Sequence, residues 1–102
     1  MSDILFKTDE YIFSYRVGGL LIRNGKVLMQ KPTDDDGYAI IGGHVAFGET
    51  TAEALVREYK EEIGADINVE RLFMVNESFF PWGSHPCQQI NLYYLVSLKD
   101  EA

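Results

Sequence analysis

GGHVAFGETTAEALVREYKEEIGA, residues 42–65, is the stretch from which the rest of the fold can be read. Within it Thr50-Thr51-Ala52-Glu53 has the form of a capping box, Thr50 serving as N-cap and Glu53 reaching back to it. No proline or glycine follows until Gly64, which stands where a helix closes on a left-handed residue. At about 100° per residue, Ala52, Leu55, Val56, Tyr59 and Ile63 share an arc of about 100°, the width of one buried stripe. The spacing predicts an amphipathic helix. Glu58, Glu61 and Glu62 sit at i, i+3 and i+4 and rise from one face beside that stripe. Like charges so placed cost an isolated helix about 0.2–0.5 kcal/mol per pair, and Lys60 points elsewhere. A divalent cation is the simplest offset, since hard ions such as Mg²⁺ take carboxylate and carbonyl oxygens. The plain alternative is a solvated acidic face, and three glutamates alone favour it. Gly42-Gly43 shifts the balance, because backbone without side chains can approach a ligand closely.

Working outward, residues 15–23 and 26–31 are β-rich runs separated by Asn24-Gly25, the strongest short hairpin signal. Residues 32–37, with Asp34-Asp35-Asp36, read as an exposed acidic loop, and 38–41 as a short strand ending at the glycine pair. Residues 44–48 read as a loop. Beyond the helix, 67–80 read mostly as strand, 81–86 as a loop and 89–98 as strand. Strands, one helix and strands again define a mixed α/β layer fold with the helix packed on a sheet.

The 102 residues make one domain, without internal repeat or linker, and leave no room for two. With 46% apolar and 25% charged residues the chain is globular in composition. A net charge of −7 removes the basic footprint that a general nucleic-acid binder needs. Of its 16 acids, Glu49, Glu53, Glu58, Glu61 and Glu62 crowd into one short stretch. Residues 78–98 carry no Lys, Arg, Asp or Glu, but Pro81, Gly83, Pro86 and several polar residues interrupt them, so a membrane span is not expected. One cysteine, Cys87, precludes an internal disulfide and points to a reducing, cytoplasmic address.

Residues 43–65 resemble the Nudix box, G-x5-E-x7-R-E-U-x-E-E-x-G-U, with U a bulky apolar residue. Gly43, Glu49, Arg57, Glu58, Glu61, Glu62 and Gly64 supply all its fixed letters at the right spacing, while Ala65 is small for the last U. The resemblance to Nudix (MutT-like) hydrolases implies the Nudix fold, a mixed sheet in an α/β/α sandwich. It also implies that the domain continues with a further strand and helix past Ala102. Ile41 replaces the proline common before the glycine pair. The implied activity is hydrolysis of the pyrophosphate linkage in a nucleoside diphosphate joined to another moiety, dependent on Mg²⁺ or Mn²⁺. By the same resemblance Glu58, Glu61 and Glu62 are metal-binding carboxylates, joined by the Gly42 or Gly43 carbonyl, and Glu49 binds a second metal or its water. Glu58, Arg57 and Glu61 form the catalytic set, Arg57 orienting Glu58. The base is Glu58 or an acid further downstream.

Gly43, His44 and Trp82 are candidate substrate contacts, His44 toward a phosphate and Trp82 toward a base. Phe79, Phe80, Trp82 and His85 surround the 81–86 segment; their aromatic faces suit a purine, and a core role is equally compatible. Tyr93 and Tyr94 alternate on a strand, one to each face. A nucleotide-type small molecule is the expected partner, with neither nucleic acid nor membrane. An unpaired edge near the end of the chain favours a homodimer or cover by further residues. The alternative of another class is a Nudix-like module that binds a nucleotide without hydrolysing it.

Overall fold

The computed structural model describes residues 2–30 and 38–100, so the expected acidic loop lies outside the described residues. The elements run β1 (Leu5–Lys7), β2 (Ile12–Arg23), β3 (Lys26–Val27), β4 (Met29–Gln30), β5 (Ala39–His44), α1 (Thr51–Ile63), β6 (Ile67–Trp82) and β7 (His85–Leu98). The main sheet is ordered β4-β5-β2-β7-β6, with β1 and β3 also paired to β2. Its central pair, β2 with β7, is parallel and the other pairs are antiparallel, the mixed sheet expected.

α1 forms as its ends dictate. The Thr50 hydroxyl accepts from the Glu53 amide, the Glu53 carboxylate accepts from the Thr50 amide, and Gly64 closes the helix at φ 68°. Its buried row is Ala54, Leu55 and Tyr59, packed on Val17 and Leu21 of β2, Ile41 of β5 and the neighbouring Val45. Here the expected stripe needs correction: Ala54 is buried, whereas Val56 and Ile63 are exposed. The helix sits so close to Gly19, whose added Cβ would lie 2.7 Å from Tyr59, that contact is confined to a narrow strip. Val56 is left on the flank, over a shallow cleft with Ile67 and Lys99. Gly18 faces the other way, against Tyr93 and Ile40. Odd-numbered β2 residues from Val17 to Leu21 therefore meet the helix, and even-numbered ones face the opposite side. Tyr94 lies on the helix side, bonded to Thr51, and Tyr93 on the other, the expected alternation. Among the described residues there is one helix, on one face of the sheet.

The first hairpin turns at Asn24 and Gly25, both with positive φ (55° and 73°), as a two-residue type I′ turn requires. Its return strand is not continuous. β3 pairs with β2, and after Leu28 the chain crosses to pair β4 with β5. Residues 81–86 are not a loop either: β6 and β7 stay paired to Trp82↔His85 around Gly83 and Ser84, with Gly83 at φ 63°. Pro81 and Pro86 are tolerated because they face each other in the next register position. That position follows the bonded pair closing the turn and exchanges no backbone hydrogen bonds, so neither missing N–H is needed. His44 belongs to β5 and not to the loop, its backbone in register with Arg16.

Tyr59 is fully buried, and its hydroxyl donates to the Gly19 carbonyl at 2.9 Å. Burial, with Glu62 adding to it, pushes this phenol up from 10.0 to about 12. Raised in the folded state, it contributes stability that is complete below pH 10 and is lost as pH climbs toward 12. The two-unit difference corresponds to about 2–3 kcal/mol. Urea melts at pH 8 and pH 11.5 should show Tyr59→Phe losing less stability over that interval than the wild type; equal losses would refute the assignment.

Candidate active site

The loop between β5 and α1 is tied to both. The Glu49 carboxylate accepts from the Ala46 amide at 2.9 Å, bracing the turn, and then takes Arg57 Nε at 2.6 Å and Nη2 at 2.9 Å. Arg57 Nη1 donates to Glu58 at 2.8 Å and more distantly to Glu61 at 3.3 Å, while Nη2 also reaches the His44 carbonyl at 3.2 Å. One planar guanidinium thus gathers the loop, the end of β5 and two turns of helix. Lys60 lies on Asp66 at 3.3 Å, away from the carboxylates, as the helical wheel requires.

The two carboxylates closest to Arg57 respond oppositely. Its hydrogen bonds hold the Glu49 carboxyl below the usual range, outweighing desolvation. Glu58 is pushed above it, because burial outweighs Arg57 and the charges of Glu62 and Glu61 add to the effect. The cause is Gly43: a Cβ there would stand 2.5 Å from the Glu58 carboxylate, so the side chain lies flat in the space a glycine leaves. Arg57 Nη1 bonds Oε2 of Glu58. Glu61 and Glu62 are exposed, and Glu62 Oε1 accepts from Gln30 Nε2 at 2.8 Å.

The Gly42 carbonyl belongs to the same place. Val45 N donates to Tyr15 O, which makes Tyr15/Val45, Val17/Gly43 and Gly19/Ile41 the bonded pairs of the ladder. Gly42 and His44 consequently turn their carbonyls away from β2, toward the edge of β5 that β4 pairs, among the described residues, only at Ala39 and Ile40. Gln30, Glu62, Arg57 and the Gly42 carbonyl all border that edge.

The donor set suits a hard divalent cation: oxygen atoms throughout, and four carboxylates against one guanidinium. Among the described residues, however, no three His, Cys, Asp or Glu side chains are grouped to hold a metal ion. Glu58 and Glu61 are drawn onto Arg57 and Glu62 onto Gln30, so the two exposed glutamates would have to swing inward.

The candidate substrate contacts separate. His44 Nε2 lies 3.0 Å from the Ser14 hydroxyl, whose proton goes to Gln89 Oε1 at 3.0 Å. Ser14 can only accept from the imidazole, so His44 carries its proton on Nε2. Burial, aided by the charge of Arg16, holds His44 below its ordinary range. Trp82 comes to the same face, its ring centroid 6.5 Å from that of His44 and Lys7 Nζ 5.4 Å from it. Phe79 and His85 do not join it. They line a separate, largely apolar cavity of about 570 Å³ at the β6–β7 tip, and His85 is bound to the Asp9 carbonyl at 3.1 Å. Phe80 lines that cavity too while stacking on Trp82. Cys87 is buried and its thiol pushed up by desolvation, in keeping with a structural residue. Gln30, Arg16 and Asn91 are neighbours of the site that the sequence reading passed over. The available signal was the polar alternation of Gln89, Asn91 and Tyr93 along β7.

Sheet, loop and helix define a small α/β domain whose polar machinery is one arginine-clamped glutamate helix. The family model described as NUDIX domain matches residues 13–102, and the chain belongs to that family. It is 34% identical, over 76% of its length, to a Bacillus subtilis (strain 168) protein provisionally named ADP-ribose pyrophosphatase YjhB, and spans 36% of that protein. A crystal structure of UDP-X diphosphatase superposes with TM-score 0.75 at 25% identity, covering 85% of this chain and 42% of that one. A MutT NUDIX hydrolase from Burkholderia pseudomallei shares the fold at TM-score 0.69 and 22% identity, covering 87% of this chain and 70% of its own. Among the described residues no helix is long and apolar enough to cross a membrane.

If Gly43 makes room for Glu58, Gly43→Ala should leave the strand in place and push the carboxylate outward, since the side chain yields more readily than paired backbone. The expected outcome is a melting temperature within a few degrees of wild type and a Glu58 carboxyl, followed by ¹³C NMR titration, shifted down toward its ordinary value. An unmoved titration would show that burial beside Gly43 is not what raises it.

Proposed function

We propose that the chain carries the catalytic part of a metal-dependent hydrolase cleaving the pyrophosphate linkage of a nucleoside diphosphate joined to another moiety. The observation that carries this reading is the Arg57-centred cluster at the edge of β5, where Glu58 is pressed into the Gly43 cradle. Family membership and relatives named for diphosphatase and pyrophosphatase activities support it.

Glu58, Glu61, Glu62 and the Gly42 carbonyl would hold Mg²⁺ or Mn²⁺, with Glu49 available to a second ion. Bound there, a divalent ion neutralises phosphate charge and lowers the pKa of coordinated water. The protein's own contribution is positional. Arg57 holds Oε2 of Glu58, and the half-buried, raised carboxyl is suited to accept a proton from an attacking water. Gly43 keeps the approach to that carboxylate clear, and His44, protonated on Nε2 and bound to Ser14, supports the end of the strand. Trp82 stands on the face where the remainder of a substrate would extend. The substrate is a small nucleotide derivative and the compartment is taken as cytoplasmic; the strand near the end of the chain, β7, is paired on both sides and offers no free edge, so a homodimer would form along β6, the edge strand among the described residues.

Glu62 offers the sharpest test. In the metal-free protein it adds charge repulsion to Glu58, so Glu62→Gln should be as stable as wild type or slightly more so. With Mg²⁺ and a panel of nucleoside diphosphate derivatives, kcat should fall by about 100-fold or more, as expected for loss of a functional charged group. Near-normal turnover by the variant would remove Glu62 from the metal set. A wild-type protein that binds nucleotides but hydrolyses none with either ion would favour the non-catalytic reading. Because Glu58 must lose its proton to bind an ion, Mg²⁺ affinity measured by calorimetry should rise with pH through the acidic range.

A further inference from the structure

Register carries Phe6 of β1, Phe13 of β2, Gln88 of β7 and Phe79 of β6 into one row across four strands. Phe13 lies on the odd-numbered side of β2 with Val17 and Leu21, and side chains in register share a face, so the row looks the same way as α1. Along β6, Val75 is in register with Leu92 and Val17, and Leu72 with Tyr94 and Gly19, which places both on that side too. Of this side α1 covers Val17, Leu21 and Ile41. Among the described residues nothing covers the rest: Phe79 is 73% exposed, Phe6 57%, Val75 54% and Leu72 45%. Phe6 stacks on Phe13 with ring centroids 6.3 Å apart, and the cavity at the β6–β7 tip, lined by Phe13, Phe79 and Tyr11, is a recess beside the row.

These four side chains and the exposed Tyr11 leave about 500 Å² of largely apolar surface open, taking about 200 Å² for a whole aromatic side chain. A patch of that size marks a contact surface. Two copies meeting on it would bury about 1,000 Å², the least that a specific interface needs. The patch suits its own copy. Its row is interrupted by Gln88, an exposed amide that both donates and accepts, so two of them pair with each other across a two-fold axis. From Leu72 to the tip Glu77 is the only charged residue on this side, and it lies on the edge strand, exposed to water. Residues 78–98 contain no Lys, Arg, Asp or Glu, so two chains of net charge −7 meet here without opposing charges, and a partner chosen by charge finds nothing to pair with. The backbone edge of β6 is less suited, because register shifts at Val69/Arg71 and Leu72/Met74 bulge it and Pro81 lacks an N–H. We propose that two copies of this chain pair face to face through Phe6, Phe13, Gln88 and Phe79, flanked by Val75 and Leu72, so that β6 contributes side chains and not backbone. The inference rests on the homodimer considered above, gives it a surface, and is independent of hydrolysis.

The test is the mass of the chain in solution. Sedimentation equilibrium between about 1 and about 200 µM should show a reversible monomer–dimer equilibrium ending at twice 11.6 kDa, with a dissociation constant in the micromolar range. Phe79→Ser and Phe6→Ser should each weaken the dimer about 10-fold or more. Both side chains are exposed, so the melting temperature of the dilute monomer should not change. Gln88→Glu removes almost no apolar surface but sets two carboxylates against each other at the axis, and should weaken the dimer by a similar factor. A monomer at the highest concentration would give the face to another partner and overturn the proposal. A dimer indifferent to both Phe79→Ser and Gln88→Glu, or an open-ended series of larger species, would do the same. Because no turnover is measured, a dimer without hydrolysis leaves the contact standing, and full hydrolysis by a monomer refutes the contact alone.

Discussion

The guanidinium of Arg57 is the junction on which the site depends. Nε and one terminal nitrogen clasp Glu49, the other terminal nitrogen bonds Glu58 and leans toward Glu61, and the His44 carbonyl takes a remaining proton. A lysine could supply the charge but not the flat fork that spans three segments. Its side chain is 24% exposed and that of Glu49 only 10%, so the pair is held in a partly desolvated setting. Breaking a fully buried pair by removing one partner costs about 3–5 kcal/mol, and partial exposure lowers that figure here. Beyond stability, the clamp separates two chemically identical groups: the hydrogen bonds of Arg57 hold the Glu49 carboxyl below its usual range, whereas burial holds that of Glu58 above it.

Two glycine pairs make that geometry available. Gly18-Gly19 on β2 lies beside Gly42-Gly43 on β5, with Gly18 opposite Gly42. Gly19 lets Tyr59 and Leu55 settle onto the sheet, and Gly43 does the same for Glu58. Gly42 serves the ladder itself, since a Cβ there would stand 2.1 Å from the Val17 carbonyl oxygen. The sheet is thinnest where the helix carries its carboxylates, and the helix is drawn close by Tyr59, whose buried hydroxyl bonds the Gly19 carbonyl.

Much of this was legible in the chain, for reasons that are local. Capping-box chemistry and a left-handed closing glycine are set by neighbouring residues, so α1 and its glutamate face followed from residues 50–64. The Asn24-Gly25 turn followed in the same way. What escaped depends on partners far along the chain. The burial of Ala54 in place of Val56 depends on how closely the helix approaches Gly19. The paired tip at Pro81 and Pro86 was misread because two prolines suggest a loop until register shows that both missing donors fall at an unbonded position. Arg57 was expected to orient Glu58, yet its stronger bonds are to Glu49, eight residues away. Gln30 and Arg16 carry no motif and become neighbours of the site only through strand order.

Among the described residues, the two sides of β5 are built differently. On one side of the strand the carboxylates of Glu49 and Glu58 are held by a single arginine. On the other side the lining comes from alternate residues of β2 and β7, whose side chains can change without disturbing backbone pairing. A domain built this way can keep its carboxylate cluster while the residues on the other side of the strand change.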